Sequence, residues 1–266
     1  MLGEILEKTR KRNPLVHCMV NLVTANDCAN LALASGASPI MAEDLEEVEQ
    51  VTSACDGLVL NLGTPSPRKI QALILAGKTA KLQGKPVIFD PVGAGCSDFR
   101  RNAAGEILTQ VRPDIIRGNA SEIRTLLWGT MAHRGVDAET ISEEPLELAE
   151  SLAEKTGAVV VISGDVDVVT DGVTSYRVRN GHPMMRFVTG TGCQMSALIG
   201  AYCAANPGKI LLSALAGVCG FGLCGEIAYS RLSSLDGNAS YRNYIIDAVY
   251  HLTGDALEKG ARYEIC

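Results

Sequence analysis

Three short apolar runs, LVL (58–60), VIF (87–89) and VVVI (159–162), each end at a polar position. Uninterrupted apolarity, rather than alternation, marks a strand buried on both faces. The segment 57–62, a helical pattern over 67–83 and the run 86–90 spell one βαβ unit. A further strand is predicted around 114–117, leading to Asn119, and a helix over 145–156 precedes the run at 158–163. Beyond it the texture changes. In VDVVTDGVTSYRVRNG (166–181), alternating segments are flanked by Asp-Gly and Asn-Gly, which predicts an antiparallel meander at a sheet edge. A last β-type run is read at 187–189, and from there the chain is mostly helical, over about 192–205, 209–232 and 240–257, with Asn206-Pro207-Gly208 breaking the first two. The acidic stretch MAEDLEEVEQ (41–50) reads as a solvated helix face. No fixed-period repeat or linker interrupts the chain, so the expectation is one α/β domain over residues 1–266, with a mostly parallel central sheet, covering helices and an antiparallel edge.

Composition narrows the partners. The formal charge is −6 and no basic run is longer than Arg10-Lys11-Arg12, which offers little attraction to nucleic acid or an anionic membrane surface. Nine cysteines are scattered from Cys18 to Cys266 without a CxxC pair, the usage of a reduced, cytoplasmic protein without a zinc site. The N-terminal MLGEILEKTRKRNP carries charges where a secretory leader needs an unbroken apolar core. One segment, ILLSALAGVCGFGLCG (210–225), has no charge at all; its 16 residues fall short of the roughly 20 that span a bilayer, so it is read as a buried helix or one facing another subunit.

In open α/β sheets ligands bind beyond the carboxyl ends of the strands, so what each strand delivers there is the candidate chemistry. The second run delivers Asp90, followed by PVGAG (91–95): either a structural Asp-Pro turn or a carboxylate near a magnesium ion held largely through water. The strand near 115–117 delivers Arg117 and GNASE (118–122). Asn119 with Glu122 three positions on is the spacing of a helix capping box, and the same helix start positions Glu122 to reach a metal-bound water while Arg117 offers a planar fork to a phosphate. Ser163-Gly164-Asp165 is a polar turn able to hold a nucleotide or simply to close an edge. Finally, Gly190-Thr191-Gly192-Cys193 lets backbone N–H groups turn inward at the positive end of a following helix. His17, on a predicted strand, is read as a satisfied core histidine.

These residues resemble the ribokinase-like superfamily and, within it, the hydroxyethylthiazole kinase family. The resemblance covers nearly the whole chain and is carried by NPLVHCMVN (13–21), GASPIMA (36–42), LVLNLGT (58–64), VIFDPVGAG (87–95), IIRGNASEI (115–123), GVDA (135–138), ISGDVDVV (162–169) and VTGTGCQMS (188–196). It implies a three-layer α/β/α sandwich, ATP as co-substrate, Mg²⁺, and phosphorylation of the hydroxyethyl oxygen of 4-methyl-5-(2-hydroxyethyl)thiazole by a homotrimer whose pockets lie between subunits. It further implies that Met41 and Gly190 touch the thiazole alcohol with Asn21 lining the same pocket, that Arg117 and Ser163 contact ATP, and that Asp90 and Glu122 are the metal and phosphate carboxylates. A thioether such as that of Met41 suits a small heteroaromatic ring, and equally suits simple packing. The family often has Thr where this chain has Ser163, which keeps the hydroxyl; VNLVTAND (20–27) departs further from the family pattern.

The thiol is the unusual feature. Most ribokinase-like kinases resemble one another in ending the glycine turn with Asp, read as the base, whereas the thiazole kinases resemble this chain in ending it with Cys. A helix N-terminus is expected to lower the Cys193 pKa toward a useful thiolate fraction. Phosphoryl transfer asks little of a base, so Cys193 serves either as a weak base or as a small polarizable wall, with Gly190, Thr191 and Gly192 stabilising the moving phosphoryl group. Two other readings stay open. One is a ribokinase-like kinase for another small alcohol, or a related ATP-dependent dehydratase. The other is a nucleotide- or thiazole-binding regulator without turnover, whose sign would be loss of Asp90, Glu122 or the glycine turn; all are present.

Overall fold

Both faces of the inner strands are buried, as their apolar composition requires. The computed structural model describes residues 1–129 and 144–266, so the GVDA motif at 135–138 lies outside the described residues. The chain opens with α1 (Leu2–Arg12), β1 (Leu15–Met19), α2 (Ala25–Ala34), β2 (Ser38–Ile40), α3 (Val48–Ala54) and β3 (Gly57–Asn61). The expected βαβ unit follows: α4 (Pro67–Leu82) joins β3 to β4 (Val87–Asp90). Its helix starts where Ser66 accepts the Lys69 amide and Pro67 takes the first helical position. Next come α5 (Asp98–Val111), β5 (Ile115–Asn119), α6 (Ala120–Trp128), α7 (Pro145–Thr156) and β6 (Val159–Ser163). The meander is β7 (Asp167–Thr170) and β8 (Ser175–Val178), antiparallel as expected. Helices α8 (Thr191–Ala205), α9 (Ile210–Ser230), α10 (Asn238–His251) and α11 (Gly254–Gly260) and strand β9 (Tyr263–Ile265) complete the described residues.

One sheet contains all nine described strands, in the order β2-β1-β3-β4-β5-β6-β7-β8-β9; the pairs from β2 to β6 are parallel and those from β6 to β9 antiparallel. Alternate side chains feed opposite layers. Val59, Ile88 and Val161 pack under α1, α2, α8 and α9 with Leu6, Leu31, Leu198 and Phe221, while Leu58, Leu60 and Phe89 pack under α4 and α5 with Leu73 and Ile107. A further cluster on that second side joins Ile116 and Val160 to Leu152 of α7. This is the three-layer α/β/α arrangement.

Three expectations need correction. Residues 187–189 form no strand: a 3₁₀ turn over Pro183–Phe187 precedes Val188, because His182 caps that turn through the Met184 amide. The helix read over 240–257 is two helices, since Leu252 is extended and the Thr253 hydroxyl caps α11 by accepting the Ala256 amide at 3.1 Å. The uncharged segment belongs to a 21-residue helix, long and apolar enough to cross a membrane, so its length is not the argument against spanning. Packing is: 67% of its most apolar window is buried inside the protein. Gly222 takes part in that packing, since a methyl there would come within 2.7 Å of the Asn180 backbone.

Candidate active site

Strands β1, β3, β4, β5 and β6 are parallel and end on one edge of the sheet, and the strand order reverses between β1 and β3. A cleft opens at such a reversal because the flanking connections leave toward opposite faces. Here the cavity measures about 1040 Å³. Its wall brings together Asn21, Asp90, Arg117, Glu122, Ser163, Gly190, Thr191, Gly192 and Cys193, nine of the ten residues singled out from sequence. Met41 is not among them. It follows β2, the outermost strand, so its loop lies to the side of the cavity, and the residue is 37% exposed.

Asp90 ends β4 and is completely buried. Its Oδ2 accepts from Ser196 Oγ at 2.8 Å and from Asn61 Nδ2 at 3.1 Å, with Arg117 Nη1 at 3.9 Å. Its Oδ1 has no hydrogen-bond partner among the described residues. Burial raises the Asp90 pKa against the pull of Arg117, Ser196 and Asn61. Glu122, at the third position of α6, completes the capping box: Asn119 Oδ1 accepts the Glu122 amide at 2.9 Å, and Glu122 Oε2 accepts the Asn119 amide at 2.8 Å. Its other oxygen accepts the Gly93 amide at 2.8 Å, tying the loop after β4 to the start of α6. Burial, then the nearby Asp90 charge, pushes the Glu122 pKa up to about 7. Arg117 donates to Ser163 Oγ at 2.7 Å, joining the ends of β5 and β6.

The glycine turn is built by close approach. Gly190 has φ +81°, and a methyl there would overlap Thr24. One at Gly192 would overlap Arg117 Nη1 and lie 3.0 Å from Cζ. Thr191, Gly192 and Cys193 are the first three residues of α8, where amides lack partners inside the helix. Cys193 Sγ accepts from Asn61 Nδ2 at 3.3 Å and from Asn21 Nδ2 at 3.4 Å. The expected lowering of this thiol's pKa does not occur: burial, then Asp90, raises it, with Thr24, Arg117 and Asn61 opposing. Desolvation is the largest cause.

Sequence reading missed Asn61, Ser196 and Asp167. Asn61 holds four groups at once, since its oxygen also accepts from Asn21 Nδ2 at 3.1 Å and from the Gly63 amide at 2.9 Å. Its position, closing the LVLN run, was the available signal. Ser196 stands three residues after Cys193 and so shares its helix face. Asp167, at the start of β7, lines the cavity, and burial pushes its pKa up to about 6. His17 is a core residue as read, its ring bonded to Thr52 Oγ1 and the Ala42 carbonyl, both at 2.9 Å.

Raised carboxyl pKa values set a pH dependence. Glu122 keeps a proton in the folded protein up to about pH 7, whereas the unfolded chain releases it near 4.5. Its contribution to stability is therefore present at low pH and is lost as pH rises through that window, by up to about 1.4 kcal/mol per pH unit. His17 acts oppositely, because burial lowers its pKa from 6.5. The difference between parent and Glu122→Gln isolates the carboxyl: the Tm gap is expected to shift in favour of the variant from pH 5 to pH 7, and a constant gap would refute the raised pKa.

Residues 6–255 match the Hydroxyethylthiazole kinase family. The hydroxyethylthiazole kinase of Clostridium acetobutylicum is 49% identical over 271 residues, covering 99% of each chain. The solved structure of hydroxyethylthiazole kinase from Pyrococcus horikoshii superposes with a TM-score of 0.90 at 33% identity, covering 100% of this chain and 98% of that one. A ribokinase-like superfamily protein from Enterococcus faecalis shares the fold, with a TM-score of 0.68 at 14% identity over 97% of this chain and 95% of that one.

Proposed function

The chain belongs to the hydroxyethylthiazole kinase family, and from that membership we propose how its cavity carries out the reaction. It is a phosphotransferase with an alcohol acceptor: the hydroxyethyl oxygen of 4-methyl-5-(2-hydroxyethyl)thiazole takes the γ-phosphoryl group of ATP, giving the thiazole phosphate of thiamine salvage. The observation that carries the site assignment is the Ser196–Asp90 bond of 2.8 Å, which ties the buried carboxylate to the first turns of α8, the helix whose N-terminal amides line the cavity.

In this reading Arg117 and Ser163 hold the nucleotide's phosphates, and the amides of Gly190, Thr191, Gly192 and Cys193 surround the transferring group with fixed positive dipole. The alcohol oxygen forms its bond to the γ-phosphorus as the bond to the bridging oxygen breaks, and that electron pair leaves with ADP. The donor set suits Mg²⁺: Asp90 Oδ1 has no partner among the described residues, and Glu122, both oxygens engaged by backbone amides, is placed to act through water. When bound, Mg²⁺ neutralises phosphate charge; the protein's part is to place the two carboxylates and exclude solvent.

With its pKa raised, Cys193 is a thiol at neutral pH, so it serves chiefly to orient the alcohol, and only its small thiolate fraction can take the alcohol proton. Turnover of Cys193→Ala is expected to fall about tenfold, below the usual contribution of a strong general base, while Cys193→Asp stays active. An inactive aspartate variant beside an unimpaired alanine variant would remove the proton-acceptor role. Incubating the parent with MgATP and a panel of small alcohols, then assaying for phosphorylated thiazole, tests the substrate assignment itself.

We also read the chain as one domain that assembles as a homotrimer with pockets between subunits. Leu22 and Val23, directly after Asn21, are 84% and 63% exposed, and Met41 is exposed beside them in the sheet order, an apolar surface suited to a partner subunit. Light scattering should return the mass of three chains. A reducing, cytoplasmic setting fits nine free cysteines, all but Cys96 and Cys266 buried.

A further inference from the structure

Lysine is an unexpected residue in the first turn of a helix, where the positive end of the dipole opposes it. Lys69 stands there in α4, and its side chain is only 6% exposed. Its placement therefore does not serve the helix. A buried ammonium must find acceptors for its three N–H bonds, or desolvation outweighs what it contributes. Lys69 finds three, one in each of three loops: the Val20 carbonyl at 2.9 Å after β1, Glu43 Oε1 at 3.0 Å after β2, and the Gly63 carbonyl at 3.3 Å after β3.

Each acceptor adjoins a residue of the alcohol end of the site. Val20 precedes Asn21, whose amide reaches Cys193. Gly63 donates its own amide to Asn61 at 2.9 Å, and Asn61 bonds both Asp90 and Cys193. Glu43 lies two residues beyond Met41, the candidate thiazole contact that the fold sets outside the cavity. The nucleotide side, Arg117 with Ser163, receives no bond from Lys69.

We infer that Lys69 is a positioning residue for the acceptor alcohol: its ammonium fixes the loops carrying Asn21, Met41 and Asn61 relative to one another, and so sets the alcohol site without touching substrate. This rests on the reading that Asn21 faces the thiazole alcohol in the cavity of its own subunit, and that Met41 reaches the alcohol in a pocket shared between subunits.

Lys69→Met keeps the apolar stem and removes the donors. The KM for the thiazole alcohol is expected to rise about tenfold or more, while ATP affinity, measured by calorimetry on the same protein, stays within about twofold. Glu43→Gln, at a part-exposed position, weakens one of the three ties; it should raise the alcohol KM about threefold with an unchanged Tm, and it decides the matter if Lys69→Met does not fold. An unchanged alcohol KM in a folded Lys69→Met, or equal losses for alcohol and ATP, overturns the inference, as does a Glu43→Gln variant with parental KM where only that variant can be measured. A parent that binds ATP yet phosphorylates no thiazole alcohol overturns the functional reading and this inference together.

Discussion

Asp90→Asn is expected to cut turnover by about three orders of magnitude while leaving the protein folded. The reason lies in how the two carboxylate oxygens differ. Oδ2 is consumed by structure, accepting from Ser196 and Asn61, and an asparagine oxygen can keep those bonds. Oδ1 is buried without a partner among the described residues, so in the proposed reaction it is the atom left to act, and the substitution turns it into an amide nitrogen that repels a cation. Losing about 4 kcal/mol of charge stabilisation in the transition state is a thousandfold in rate. Stability changes little: a neutral side chain relieves the desolvation that raises the Asp90 pKa, which offsets the cost of an amide nitrogen buried without an acceptor. Thermal unfolding beside steady-state kinetics checks both halves. Turnover within tenfold of the parent, at saturating magnesium and nucleotide, would end the assignment of Asp90 to the reaction.

Gly192→Ala is expected to lower kcat/KM for ATP about a hundredfold, again without unfolding the protein. The added methyl collides with the guanidinium of Arg117. That group is the far end of a flexible side chain, so the collision is relieved by moving it, and the fold survives. Function does not, because the guanidinium is held at 2.7 Å by Ser163 and lies 3.9 Å from Asp90; any shift large enough to admit a methyl breaks that alignment. Gly190→Ala is a different case, since it adds a backbone strain at φ +81° and therefore confounds folding with catalysis. Comparing Gly192→Ala with Arg117→Ala makes the test specific. If the glycine variant binds and turns over ATP like the parent, the close approach of Arg117 to the turn has no catalytic meaning.

Much of the architecture was legible because it is written in local chemistry. Strands β3, β4 and β6 announce themselves by apolar runs too short for helices, α4 by a helical pattern opening at Pro67, and the β7–β8 hairpin by Asp171-Gly172, where Gly172 adopts φ +86°. The groups that the parallel strands bring to the cavity wall were reached by one rule, that chemistry gathers where those strands end. Where the reading failed, the missing information was not local. Val188 and Thr189 are β-favouring, yet they follow a capped 3₁₀ turn and find no strand to pair with, whereas β9 at the C-terminus pairs with β8 across more than 80 residues of chain. Nothing in the period of either segment encodes that choice.

The amino-acid sequence by itself determined the periods, caps and turns, the parallel character of the sheet and the identity of the groups at its edge, because each depends on a few neighbouring residues. Only the tertiary structure decided that Asp90 meets Ser196 across 106 residues, that Asn21 meets Cys193 across 172, that Met41 stands outside the cavity, and that the thiol is raised rather than lowered. Those outcomes depend on strand order and on how much water is excluded, and both are properties of the packed layers rather than of any segment within them.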